Sequence, residues 1–181
     1  MDTKIENALQ HLNQLRVNNS AIKLENYENS YNLILNALPE LGGEEVKAVS
    51  KRMLMFLTNE NIGPVYMNQI PTDISGYLAE KHLLAISDIT NLFVDLSNHF
   101  ITQADQWIGE VYYYGYILYA SRQDYPLSEV KQGLLGSTSE AVINFRAILQ
   151  RLYDPTDDWE EAKDKIHSII QLIDFEILPR L

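Results

Sequence analysis

Residues 111–120 read VYYYGYILYA, with five tyrosines in eight positions. Taken alone the stretch suits a strand, because aromatic side chains pack well on a pleated surface. A lone strand in a helical chain would have no pairing partner, so the surroundings decide. Read as a helix, Tyr112, Tyr116 and Tyr119 share one face at i, i+4 and i+7, beside Val111, Gly115 and Leu118. Trp107 and Ile108 lie a turn earlier, while Tyr113, Tyr114 and Ile117 point elsewhere. A helix apolar around most of its circumference belongs in the middle of a bundle, with Gly115 admitting a close neighbour. The spacing thus predicts a core helix from 103 to about 122, ended by Asp124-Tyr125-Pro126, its tyrosine hydroxyls at the rim.

The rest of the chain repeats the helical period. Ile5, Leu9, Leu12 and Arg16 form a first stripe behind an Asp2 or Thr3 cap. Tyr27, Tyr31, Ile34, Leu35 and Leu38 form a second, which Pro39 ends. After Gly42-Gly43, Val46, Val49, Met53, Leu54 and Leu57 make a third, with Glu44 and Glu45 in the dipole-favoured first turn. Residues 59–72, with Gly63, Pro64 and Pro71, read as a loop. Thr72 or Asp73 then caps Ile74, Tyr77, Leu78 and Leu84, and Ser87 or Asp88 starts a helix holding Ile89, Leu92, Phe93, Leu96 and Phe100. Leu127 to Leu135 is a short helix stopped by Gly136. Ser137, Thr138 or Ser139 caps the next, with Ala141, Val142, Phe145, Ile148, Leu149 and Leu152. DPTDDWEE (154–161) opens the last, lined by Trp159, Ile166, Ile169, Ile170 and Ile173 and closed by Pro179. The expectation is an all-α chain of about seven to nine helices, a single domain over 1–181. It is built as one compact bundle or a HEAT-like array of helix pairs.

Charge narrows the partners. The chain holds 25 acids against 14 bases, a net −11. That argues against nucleic acid and anionic membrane, which need a basic footprint, and favours a basic protein. Without cysteine there are no disulfides and no thiolate chemistry. The polar, amphipathic start MDTKIENALQHLNQL is unlike a signal peptide, and no apolar run reaches the ~20 residues of a membrane helix. A cytoplasmic location is expected.

Motifs for catalysis or cofactors are missing. His11, His82, His99 and His167 form neither HxH nor HExxH. Asp95/His99 and Asp164/His167 share helix faces and read as surface hydrogen bonds. Gly136-Ser137-Thr138-Ser139 is a helix entry, distinct from G-x-S-x-G, and Gly42-Gly43 lacks the lysine of a P-loop. Neither an enzyme nor a bound metal or cofactor is expected.

The acids are clustered instead. Residues 61–110 hold six against one base, and residues 154–181 eight against three, whereas 111–153 is slightly positive. Asp88 and Asp95 lie seven apart on one helix, with Glu80 close to the same face. The candidate partner-binding residues are Asp88, Asp95, Asp105 and Glu110 with Tyr112, Tyr113 and Tyr116. Asp157, Asp158, Trp159 and Glu161 form a second patch. Carboxylates of this kind steer a basic partner and exposed aromatics anchor it.

Small, acidic, cysteine-free and helical, the chain resembles over its whole length, in character, the bacterial immunity proteins of toxin–immunity pairs. The resemblance implies a cytoplasmic protein that binds one toxin domain, often a basic nuclease, and blocks its active site or the approach of substrate. Two other readings stand beside it. A helical adaptor would hold a peptide in an apolar groove, and a helix-bundle enzyme or small-ligand binder would use a tyrosine-lined cavity.

Overall fold

A computed structural model of the chain describes residues 2–18, 22–57, 74, 77, 78, 81–103, 127–153 and 160–181. The expected helix over 103–122, with all of VYYYGYILYA, and the expected loop over 59–72 fall outside these apart from residue 103. Every regular element among the described residues is helical, as the periodicity requires. Seven α-helices are bounded there: α1 (Thr3–Val17), α2 (Leu24–Ala37), α3 (Gly43–Leu57), α4 (Ile86–Phe100), α5 (Leu127–Leu135), α6 (Ser139–Tyr153) and α7 (Glu160–Leu172). The chain divides into two compact units, Met1–Leu84 and Ala85–Leu181.

In the first unit, Asp2 caps α1 by accepting from the Lys4 amide at 2.9 Å. The expected stripe buries Ile5, Leu9 and Leu12, and α1 packs on both α2 and α3. All five apolar positions of the second stripe are buried, Leu38 lying in the 3-10 turn Leu38–Glu40 that follows α2. Tyr27 meets Tyr31 and Phe56 edge-on, with ring centroids 6.4 and 5.2 Å apart. These rings are core, with the edge-to-face geometry that aromatic quadrupoles favour. Arg52 of α3 holds Glu6 of α1 through two hydrogen bonds of 2.8 and 3.0 Å.

Farther along this unit, Ile74, Tyr77 and Leu78 are helical, and the Tyr77 hydroxyl donates to the Leu35 carbonyl at 3.2 Å. His82 then takes φ 53°, and the Leu83 amide reaches back to the Leu78 carbonyl at 2.9 Å. This six-to-one bond over a left-handed residue is a Schellman stop.

The second unit is organised around α4, which packs against α5 and α6; α6 in turn packs on α7. Five expected core residues of α4 are buried, and so are Thr90, Val94 and Ser97. Gly133 of α5 lies tight against α4, since a Cβ there would lie 2.4 Å from the Ser87 carbonyl oxygen and 2.7 Å from the Thr90 Cβ. Asn91 fixes the same junction by donating to the Ser137 hydroxyl at 2.8 Å and to the Gly133 carbonyl at 3.4 Å. Of the three candidate caps for α6, Thr138 takes the role, its hydroxyl accepting from the Ala141 amide at 3.2 Å. Ser137 instead donates to the Gly133 carbonyl at the end of α5. Helix α7 runs into a π-helical turn, Ile173–Ile177, and a 3-10 turn, Leu178–Arg180, that contains Pro179.

Candidate functional site

Helix α4 positions the described members of the expected acidic surface. Its N-cap, Ala85, has no side chain able to accept, and the expected Ser87 or Asp88 cap is not used. The Ile86 amide donates instead to Glu129 Oε2 of α5 at 3.2 Å. Asp88 is half-buried in the first turn, where a carboxylate suits the positive end of the helix dipole. Asp95 is exposed seven residues later, about 10 Å along the axis. Buried Leu92 lies between them, so the two acids mark the margin where the apolar face meets solvent. Both interact with neighbouring groups. Asp105, Glu110, Tyr112, Tyr113, Tyr116, Asp157, Asp158 and Trp159 lie outside the described residues. Glu161 belongs to the first turn of α7, with its side chain likewise outside them.

His167 accepts from the Gln171 side chain, Nε2 to Nε2, at 2.9 Å, while the Asp164 carbonyl receives the Ser168 hydroxyl. His11 Nδ1 lies 2.9 Å from the Ser30 hydroxyl, linking α1 to α2 on an exposed surface. Among the described residues, no three histidines, aspartates or glutamates are grouped to hold a metal ion. Nor, among them, is any helix long and apolar enough to cross a membrane.

One surface feature escaped the sequence reading. Arg146 of α6 grips Asp174 through two hydrogen bonds of 2.7 and 2.8 Å, and Lys131 of α5 grips Glu176. Both acids belong to the π-turn Ile173–Ile177. The hydrogen bonds from Arg146, aided by its charge and opposed by partial burial, hold the Asp174 carboxyl below its ordinary range. Lys131 lowers Glu176 in the same way, and Arg52 lowers Glu6 in the first unit. Ile173 and Ile177 are fully buried, whereas Phe175 between the two acids is 78% exposed. The available signal was IDFEI itself, where isoleucines four apart leave the central phenylalanine on the opposite side. Comparison with protein-family models, curated proteins and solved structures found no match to this chain, so its function is argued from its own residues.

Proposed function

We propose that this chain is an acidic helical protein whose task is to bind a basic protein partner. Within that class we read it as an immunity protein that neutralises a toxin domain by covering its active site. The observation that supports this reading is charge. Ala85–Leu181 holds fifteen acids against seven bases, −8 of the net −11. A surplus of this size accelerates encounter with a positive surface and disfavours negatively charged competitors. If the partner is a basic nuclease, the carboxylates stand where substrate phosphates would bind.

The test starts from the source cells. The tagged chain is recovered at low salt, its stoichiometric partner identified, and the salt then raised. A basic protein that is released by salt, arrests growth when expressed alone and becomes harmless when co-expressed with this chain is the expected result. A neutral partner retained at high salt, or a basic one without effect on growth, overturns the immunity reading.

A further inference from the structure

A single exposed apolar side chain carries little information, because folded proteins show many. Phe175 differs in how it is held. Its four companions in the π-turn are all fixed: Ile173 and Ile177 in the core, Asp174 by Arg146, and Glu176 by Lys131. Two residues make roughly half a turn, which sets Phe175 opposite the buried isoleucines. Ile143, 51% exposed, lies one turn from Arg146 on α6, and Leu135, 40% exposed, one turn from Lys131 on α5. Residues three or four apart share a helix surface, so both aliphatic side chains stand beside the ion pairs that clasp the π-turn. π-Turns recur at functional sites, and an exposed ring on a backbone already held in place loses only side-chain freedom on docking.

From these observations we infer that Phe175 is the apolar anchor of an interface with a basic protein, inserting into a pocket on that partner. The inference rests on the proposed function for the partner's charge and adds where contact is centred. The occupant follows from complementarity. Phe175 belongs to the unit carrying −8, which repels a second copy and attracts a positive surface. The two ion pairs neutralise the acids flanking the ring, leaving its immediate neighbours on the π-turn paired in charge.

The experiment places p-benzoylphenylalanine at position 175 of the full chain, irradiates the source cells and identifies the cross-linked protein by mass spectrometry. That protein is then purified and its affinity measured against the native chain, Phe175→Ala and Phe175→Leu. Circular dichroism and thermal melting establish that each variant is folded. The expected result is a cross-link to a basic protein, a loss of about 30-fold or more for Phe175→Ala and a smaller loss for Phe175→Leu. A cross-link within the chain or to a second copy overturns the inference, as does a cross-linked protein that is not basic. So does a basic partner that binds Phe175→Ala as tightly as the native chain, or one recovered at low salt but never cross-linked from position 175. Those last two results leave the proposed function standing. If no basic partner is recovered by either route, both fall.

Discussion

Gly133 shows how much one missing methyl group can govern. Alanine is the better helix former by about 1 kcal/mol. The added carbon, however, would sit 2.4 Å from a backbone oxygen of α4, which cannot rotate away. Gly133→Ala is therefore expected to lower unfolding stability by about 1–3 kcal/mol in urea denaturation. Trimming Thr90 as well will not restore it, because the Ser87 carbonyl remains. Ser50 is the opposite case. Its hydroxyl is fully buried on α3 and has no hydrogen-bond partner among the described residues. Ser50→Ala removes an unsatisfied group and improves helix propensity, so the same measurement is expected to give between no change and a gain of about 1 kcal/mol.

At the scale of the element, the clasped π-turn has a pH signature. Asp174 and Glu176 have folded pKa values below their ordinary ones. The stabilisation they contribute is complete above the ordinary carboxylate range and is lost as pH falls through the folded values. Arg146→Ala is expected to lower stability near neutrality by up to about 1 kcal/mol. The difference from the native chain should shrink as titration moves below about pH 4, as denaturation at successive pH values will read. Helix α5 was legible to the residue, and the buried stripes of α2 and α6 almost as fully, because local periodicity determines which side of a helix faces the core. What the sequence did not show depends on other elements. The capping of α4 by Glu129 needs α5 docked beside it, and the left-handed His82 occupies a position where glycine is usual. Phe56 was missing from the expected α3 stripe although it follows Met53 by three residues and Val49 by seven, the spacing of one buried face, where it meets Tyr27 edge-on. Of the expected interaction surface, Asp88 and Asp95 are placed at the margin of α4. The ion pairs holding Phe175 join residues 28 and 45 positions apart, beyond the reach of helical periodicity.

For the molecule as a whole, a net charge of −11 means that folding gathers like charges together. Moderate salt screens that repulsion over about 8–10 Å, and it also weakens the exposed ion pairs. With eleven acids in excess the repulsion dominates, so raising sodium chloride from low levels to roughly 0.2 M is expected to raise the melting temperature by 2–4 °C, corresponding to about 1 kcal/mol. A fall over that range would show that the ion pairs outweigh the net charge. The Glu129 cap on α4 carries a last consequence for the order in which structure is gained and lost. The first amide of α4 is satisfied by a carboxylate 43 residues farther along, so the helix cannot complete its own beginning by local winding. Fraying at Ile86 first requires the Glu129 side chain to release its amide, which ties this helix end to the contact between α4 and α5. In hydrogen exchange, the Ile86 amide should therefore exchange more slowly than the first amides of helices ordinarily do, and Glu129→Ala should remove that protection.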